Sequence, residues 1–443
     1  MNTRNVLLIA ALLLFFKPTL ATDTAMFRDN AGHVGVYGGR GRTDLAGLKW
    51  AFHAKGAFTS SPAVVGAIAY AGNGDGNLYA IDRETGALKW QFATGSRVGS
   101  SPAVVNGVVY FASYDSYFYA VDALSGKLKW KFKTNGEHRF TVKHLHGLEP
   151  ADEIMPDPWD CYLSSPLVWK SSVYFGSGDG NIYALDATTG ERQWAFKTGD
   201  VVHASPAIAG GTLYIGSWDS YFYALDAATG KEVWRFKTGD DPATHNQTGI
   251  QSSAAVVDGT VFFGARDSHL YAVDAQTGTK KWDYFTNYSW VNNSPAVKNG
   301  AVFFGTSDSG LLYGLDKKTG KVTLRIALNN WPIFSSPAIA GDMIYVGQFG
   351  GQLRAIDLTS RSIAWTFETD ASKKNAPAIT KSDGSVDFNA AFPSNFYDDG
   401  VAGYLTFLKM GAFLSSPVIT DNVLYIGSAD GNLYALRLKT AGK

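Results

Sequence analysis

The chain has 443 residues, of which 14% are aromatic and only 18% are charged, and it contains 48 glycines. Aromatic and β-branched residues that are separated by glycine favour strands and turns over helices. Its 39 basic and 39 acidic residues cancel, and this balance excludes the strongly basic surface that is typical of nucleic-acid binding.

The first residues read MNTRNVLLIAALLLFFKPTLATDT, with Arg4 before a short apolar run and a small-residue site that ends at Ala21. This order is typical of a cleavable signal peptide, and the run is short for a membrane span. We predict a signal peptide over 1–21 and an N-terminal extension over 22–43. The protein is then periplasmic or secreted, without a lipoprotein cysteine or a transmembrane span; an uncleaved anchor is the alternative.

Two markers recur eight times along the rest of the chain. A Ser-Pro anchor such as SSPAV recurs with an uninterrupted spacing of 40 to 42 residues. Its third position is occupied by Pro62, Pro102, Pro166, Pro206, Ala254, Pro295, Pro337 and Pro417. The second marker is Trp50, Trp90, Trp130, Trp194, Trp234, Trp282 or Trp365, with Leu324 in the remaining unit. An internal period near 40 residues indicates a repeat architecture.

Each unit divides into four short strands. In the second unit, SPAVV and VVYFAS flank the hairpin turn Asn106-Gly107, and FYAVD and KLKWKF follow. Trp50 precedes the first anchor, and the last unit lacks its own tryptophan strand, so the N-terminal strand can complete the last blade. We predict an all-β, eight-bladed β-propeller over 44–438 with a short tail over 439–443. An open solenoid would leave both end strands unpaired.

The segments AVDALSGKLKW, ALDATTGERQW and ALDAATGKEVW resemble the tryptophan-docking motif of PQQ-like repeat propellers. That family includes quinoprotein alcohol dehydrogenases and the outer-membrane assembly factor BamB. The resemblance implies that the seven motif tryptophans pack between blades and bind no ligand. Departures from the motif at Leu324, Arg361 and Arg437 imply looser docking near blades six to eight.

All the insertions fall on one face of the predicted ring. The turn between strands two and three shares a face with the connections between blades, and we call this the upper face. Insertions at 134–163, 240–251 and 370–414 belong to it. Long loops on one rim of a rigid scaffold are typical of binding sites, although they could also simply cap the ring.

Residue types favour the same face. Most histidines and most tryptophans outside the docking motif lie in its turns and connections. The predicted binding face comprises Tyr114, Tyr117, His138, His144, His146, Trp159, His203, Trp218, Asp219, Tyr221, Arg266, Asp267, His269, Trp290, Trp331 and Phe349. Aromatic side chains replace glycine in the turns of blades two and four, which flank the 134–163 insertion. These aromatic residues either support that insertion or contact a ligand, and we favour support.

The sequence contains no strong pattern for a catalytic or metal site. His144 and His146 lie near several carboxylates, but their spacing matches no metal site, so we predict no metal and no catalytic residue. The single cysteine, Cys161, is more typical of a buried structural residue than of a nucleophile.

Three functions remain open. We favour an exported, monomeric, non-catalytic scaffold of the BamB type that holds a protein partner through upper-face loops, with a possible role in outer-membrane protein assembly. A dehydrogenase of alcohols or sugars that uses PQQ and calcium is the first alternative, because Trp218, Asp219 and Arg266 together with His203 and Asp267 could loosely form its site. One cysteine cannot form the vicinal disulfide of that class. A propeller that binds a glycan or small molecule is the second alternative.

Overall fold

The computed structural model describes residues 24–38, 41 and 43–439. Eight antiparallel sheets of four strands form an eight-bladed β-propeller, and the predicted fold class is confirmed. The signal-peptide prediction over 1–21 lies outside the described residues. Within them, no helix has the length and apolar character needed to cross a membrane.

The first four blades follow the predicted repeat. Blade 1 contains Ala63–Val65, Ile68–Gly72, Asn77–Asp82 and Leu88–Ala93. Blade 2 contains Ala103–Val105, Val108–Ser113, Tyr117–Asp122 and Leu128–Lys133. Blade 3 contains Leu167–Trp169, Ser172–Gly176, Asn181–Asp186 and Arg192–Lys197. Blade 4 contains Ala207–Ala209, Thr212–Gly216, Tyr221–Asp226 and Glu232–Lys237.

The last four blades complete the ring. Blade 5 contains Ala255–Val257, Thr260–Gly264, His269–Asp274 and Lys280–Phe285. Blade 6 contains Ala296–Lys298, Ala301–Gly305, Leu311–Asp316 and Val322–Ala327. Blade 7 contains Ala338–Ala340, Met343–Gly347, Gln352–Asp357 and Ser362–Glu368. Blade 8 contains Val418–Thr420, Val423–Gly427, Asn432–Leu438 and the N-terminal strand Leu45–His53. That last pairing is antiparallel and closes the ring as predicted.

A ring of serines explains the Ser-Pro anchor. The second serine of each anchor accepts a hydrogen bond from the backbone N–H of its counterpart in the preceding blade, at 2.8 to 3.2 Å. The ring comprises Ser61, Ser101, Ser165, Ser205, Ser253, Ser294, Ser336 and Ser416. Eight bonds in a closed circle satisfy buried polar groups around the central channel and fix each blade to the next.

Six docking tryptophans join neighbouring blades on the outer side. Their indole N–H groups donate to carbonyls of the following blade at 3.0 to 3.2 Å, from Trp50, Trp90, Trp130, Trp194, Trp234 and Trp282. The indole rests on the motif glycine, and a Cβ at Gly230 would lie 2.6 Å from Trp194. The glycine is therefore a steric requirement of the docked indole.

The departures from the motif occur together. Leu324 replaces the indole, and Arg361 occupies the facing glycine position in blade 7 with a φ of 56°. Without an indole to accommodate, that position tolerates a side chain. Trp365, the seventh docking tryptophan, has an indole nitrogen without a hydrogen-bond acceptor among the described residues.

The N-terminal extension closes the lower end of the channel. Its backbone bonds to the inner strands of blades 1, 2, 4, 5, 6 and 7, and Val36–Tyr37 adds a parallel strand to blade 7. Arg28 is 1% exposed and donates to the carbonyls of Pro337 and Pro295 at 2.6 and 3.0 Å. Burial lowers the pKa of Arg28 to about 10. The extension is thus an internal part of the propeller, which its sequence did not indicate.

The two long insertions carry secondary structure of their own. The 134–163 insertion contains the hairpin Thr141–Lys143 and Ile154–Pro156 and the 3₁₀ turn Leu145–Gly147. The 370–414 insertion contains the helices Asp370–Asn375, Phe388–Ala391 and Tyr397–Leu408 and the 3₁₀ turn Ala376–Ile379. The sequence predicts long loops at both positions, and the structure shows short helices and a hairpin instead. The last helix buries Gly400, Gly403, Tyr404 and Phe407, a helical spacing that the strand repeat obscured.

Candidate functional site

The three insertions join into one layer over the upper face. The backbone N–H of Glu149 donates to the carbonyl of Asn395, and that of Tyr397 donates to the carbonyl of Glu149, each at 2.9 Å. The N–H of His146 donates to the carbonyl of Thr244 at 2.6 Å. Each bond links two insertions, so the segments at 134–163, 240–251 and 370–414 form a single platform.

A buried histidine anchors the 134–163 insertion to blade 4. His203 is 2% exposed; its Nδ1 lies 2.6 Å from Asp160 Oδ1 and its Nε2 lies 2.8 Å from Glu137 Oε1. Burial by itself lowers the pKa of His203, but the two carboxylates outweigh burial and raise this pKa to about 10. His203 is therefore a buried cation between two acids of the insertion.

A second buried ion pair anchors the same insertion to blade 5. Arg266 has no exposed surface, and its Nη1 donates to Asp157 Oδ2 at 2.6 Å. The guanidinium lies 3.9 Å from the ring centroid of Trp290 and 4.7 Å from that of Trp218. Burial opposes ionisation of Asp157, but Arg266 and His146 outweigh it and lower the pKa of Asp157 below its usual range. Two buried cations, His203 and Arg266, thus hold the insertion in one position through their carboxylate partners.

The same insertion closes the upper end of the channel. The hydroxyl of Tyr162 donates to the carbonyls of Leu414 and Phe334 at 3.0 and 3.3 Å. Tyr162 and Phe27 line a residual cavity of about 40 Å³ at the serine ring. Neighbouring Cys161 is 6% exposed, and burial raises the pKa of its thiol to about 12. This thiol lacks the low pKa of a nucleophile.

Several residues of the predicted binding face lie beneath the platform. Trp218 has no exposed surface, and its indole stacks on Phe140 of the insertion with ring centroids 4.8 Å apart. The other buried members are His203, Arg266, Asp267, Trp290, Trp331 and Phe349. A ligand from solvent would meet the insertions first. These fully covered side chains contact the insertions from below and do not form the outer surface of the upper face.

The remaining predicted residues occupy the turns and their rim. Asp219 and Asp267 accept hydrogen bonds from the hydroxyls of the tyrosines four residues later, so they stabilise their turns. Four half-buried rings take part in cation–π or aromatic contacts at the rim: Tyr114, Tyr117, Tyr221 and His269.

The histidines of the insertion do not meet as metal ligands. The Nδ1 of His144 lies 3.0 Å from the carbonyl oxygen of Ala243, His146 contacts Asp157, and His138 is exposed on the loop. The described part of the chain contains no group of three His, Cys, Asp or Glu side chains arranged to hold a metal ion.

A pocket of about 420 Å³ opens between the insertions and blades 5 to 7. Of the predicted residues, His146, Trp159 and Trp290 line this pocket. Sequence reasoning missed Asp308, Phe388 and Phe392, which also line it. Only Asp308 left a signal in the sequence, because its turn is one residue longer than the corresponding turn of the other blades.

The site does not fit a quinone over the channel. Such a planar cofactor needs an open upper mouth and an accessible indole face. Tyr162, Leu163 and Phe334 line the small cavity at the serine ring, and Trp218 has no exposed surface beneath Phe140 and Arg266. The residues at the channel mouth therefore do not fit PQQ.

The propeller and its repeats define the class of the protein as a PQQ-like repeat propeller. The chain belongs to the family whose model is described as outer membrane protein assembly factor BamB; this model matches residues 41–146, 164–294 and 288–442. No curated relative matches the chain.

Solved structures of two functional kinds share the fold. BamB from Moraxella catarrhalis is 17% identical, with a TM-score of 0.65 over 89% of this chain and 100% of that chain. A europium-containing methanol dehydrogenase is 16% identical, with a TM-score of 0.65 over 94% of this chain and 98% of that one. The quinohemoprotein alcohol dehydrogenase from Comamonas testosteroni is 14% identical, with a TM-score of 0.68 over 95% and 82%. At these identities, the likeness concerns the fold alone.

Proposed function

We propose that the protein is an exported, non-catalytic propeller that holds a protein partner in the cell envelope through its upper face. The observation that carries this proposal is the platform of three insertions. Buried ion pairs and backbone hydrogen bonds between the insertions fix the platform, so it presents a preorganised surface. Preorganisation reduces the entropy lost on association and favours binding.

Exposed apolar side chains on this platform support the proposal. Ile154 is 66% exposed, Phe396 is 57% exposed and Leu405 is 46% exposed. All three belong to the insertions rather than to the repeat. Exposed large apolar side chains on a rigid surface are typical of protein interfaces.

The channel mouth favours this function over a quinone dehydrogenase. Tyr162 occupies the position over the channel where the family's cofactor is expected, and the thiol of Cys161 is buried. The description of the family as an outer membrane protein assembly factor supports a partner-binding role more directly than catalysis. The N-terminal sequence predicts a periplasmic or secreted protein, and a periplasmic location would suit a role in the cell envelope.

Site-specific photocrosslinking in the native host tests the proposal. A photoreactive phenylalanine analogue at Ile154 should give a discrete protein adduct. The same analogue at Leu124 is the matched control, because Leu124 is 82% exposed in a turn of the opposite face and should give none. Equal labelling from both positions, or no adduct from Ile154, would contradict the proposal. So would dye reduction by the purified protein with alcohols or sugars after addition of PQQ and calcium.

A further inference from the structure

The aspartate in the turn of blade 6 departs from the repeat. In six blades the turn aspartate accepts a hydrogen bond from a tyrosine hydroxyl four residues later, at 2.5 to 2.7 Å. In blade 6 the segment from Gly305 to Tyr313 contains one extra residue, so Asp308 stands five residues before the tyrosine. The hydroxyl of Tyr313 instead accepts a long hydrogen bond from Arg325 Nε, at 3.4 Å. The extra residue releases the Asp308 carboxylate from its structural role.

The released carboxylate lines the 420 Å³ pocket without an ion-pair partner. No Lys, Arg or His among the described residues lies within 4.0 Å of its oxygens. Arg266 is the nearby positive charge, but Asp157 already pairs with it at 2.6 Å. Asp308 is exposed at the edge of the pocket, and partial desolvation there raises its pKa to about 6, against the opposing effects of the Ser307 hydroxyl and Arg266. A carboxylate without a counter-charge at the edge of a pocket attracts a cationic group of a ligand.

The walls around this carboxylate are aromatic. The rings that line the pocket are those of Trp159, Trp290, Phe334, Phe388 and Phe392. The faces of aromatic rings carry negative potential and attract cations, and aromatic cages of this kind recognise quaternary ammonium groups. The contact between Arg266 and Trp290, at 3.9 Å, shows that a cation already binds one of these rings.

The scarcity of other polar groups narrows the ligand class. Among the residues that the structure describes, Asp308 is the only Asp, Glu, Lys or Arg side chain that lines the pocket. His146, Asn246 and Ser394 supply the remaining polar side chains. A sugar would need several converging hydrogen-bond partners, and an anion would be repelled by Asp308. An alkylated ammonium group needs few hydrogen bonds and gains from both the carboxylate and the rings. The volume is within the usual range for small-molecule sites.

We propose that this pocket binds a small organic ammonium cation, of the quaternary or tertiary amine type, between the Asp308 carboxylate and the aromatic walls. This site goes beyond the proposed partner-binding function and does not depend on it. The 370–414 insertion supplies Phe388 and Phe392, so one wall of the site belongs to the platform.

Calorimetric titration of the purified full-length protein tests the proposal. The probes are tetramethylammonium, choline and benzyltrimethylammonium, with 3,3-dimethylbutan-1-ol as the neutral isostere of choline. We expect at least one cation to bind and to quench tryptophan fluorescence in a parallel titration. The isostere should bind at least about tenfold more weakly than choline, because it lacks the charge needed for a cation–π contact. Equal affinity for choline and the isostere would overturn the proposal. Absence of binding by every cation at concentrations up to roughly 10 mM would also overturn it.

Two matched variants locate the site. Asp308→Asn should reduce cation affinity at least about tenfold, and Asp342→Asn, which removes the same charge from a 73% exposed position on the opposite face, should leave it unchanged. Phe388→Leu keeps an apolar side chain but removes one ring, so it should weaken cation binding more than isostere binding. Unchanged affinity in Asp308→Asn would overturn the assignment. If that variant fails to fold, the comparison of choline with its isostere in the unmodified protein still tests whether the site prefers a cation.

Discussion

The two faces of this propeller are built from the same blades but differ in what stabilises them. On the lower face, short Asn-Gly and Thr-Gly turns repeat with little change, and the ion pairs there lie at the surface. On the upper face, three insertions meet over the channel and bury His203 and Arg266 with their carboxylates. The repeat fixes the scaffold through local contacts, whereas the binding face depends on contacts between residues that are distant in sequence.

The largest expected difference between the faces concerns their ion pairs. Arg266→Gln leaves the fully buried Asp157 without its guanidinium and should lower the free energy of unfolding by about 3–5 kcal/mol. Lys317→Gln breaks the exposed pair with Asp258 on the lower face and should change the free energy of unfolding little. Denaturant unfolding of both variants measures the difference. Equal losses would show that the upper-face pair is no more important than a surface contact.

The buried histidine gives the upper face a pH dependence. The pKa of His203 is raised from 6.5 to about 10 in the folded protein, so the native state binds the proton more tightly than the unfolded chain. The stabilisation is complete below about pH 6.5 and is lost as the pH rises through about 10, with a slope of up to about 1.4 kcal/mol per pH unit.

The measurement is the free energy of unfolding between pH 6.5 and 10. His203→Gln should remove this part of the slope, whereas the exposed His53→Gln should keep it. A slope that is unchanged in His203→Gln would contradict the assignment of the buried charge to this residue.

On the lower face, the docked indole and its glycine give a smaller effect. A Cβ at Gly320 would lie 2.8 Å from Trp282, and the φ of Gly320 is 70°. Gly320→Ala should therefore destabilise the protein by about 1–3 kcal/mol. At the equivalent position of blade 7, Arg361→Ala should have almost no effect, because Leu324 replaces the indole. Thermal unfolding distinguishes the two variants, and similar losses would refute the steric explanation.

The smallest expected effect concerns the turn tyrosines. Tyr223→Phe removes the 2.6 Å hydrogen bond to Asp219 and should lower stability by about 1 kcal/mol. Tyr313→Phe should be nearly neutral, because Asp308 is not its partner. Equal losses in denaturant unfolding would mean that the extra residue in blade 6 has not released the aspartate.

The repeat made much of the fold predictable from sequence. Each Ser-Pro anchor and each docking tryptophan acts within its own blade and the next, so a local motif indicates its structural role. The order of Trp50 and the first anchor likewise predicted the closure of the ring. The helices of the 370–414 insertion and the path of residues 24–37 have no such repeated signal, because they are determined by contacts with many blades.

The candidate site was predictable only in outline. The aromatic turns and the insertions indicated the correct face, and support of the 134–163 insertion by Trp218 was the favoured interpretation. The pairing of Arg266 with Asp157 and of His203 with Asp160 joins residues 109 and 43 positions apart, and no motif connects them. Asp308 could have been found by comparing turn lengths between blades, since only its turn contains an additional residue.

Partner affinity measured with two single-residue variants tests the central claim most directly. Phe396 is 57% exposed and is the N-cap residue of the helix Tyr397–Leu408 without a side-chain cap. Phe396→Ser introduces a preferred N-cap residue, so it should remove apolar interface without loss of stability. With the partner identified by crosslinking, we expect Phe396→Ser to weaken binding at least about tenfold and Leu124→Ser on the lower face to leave it unchanged. Equal affinities of both variants and the unmodified protein would contradict the assignment of the upper-face platform as the binding surface.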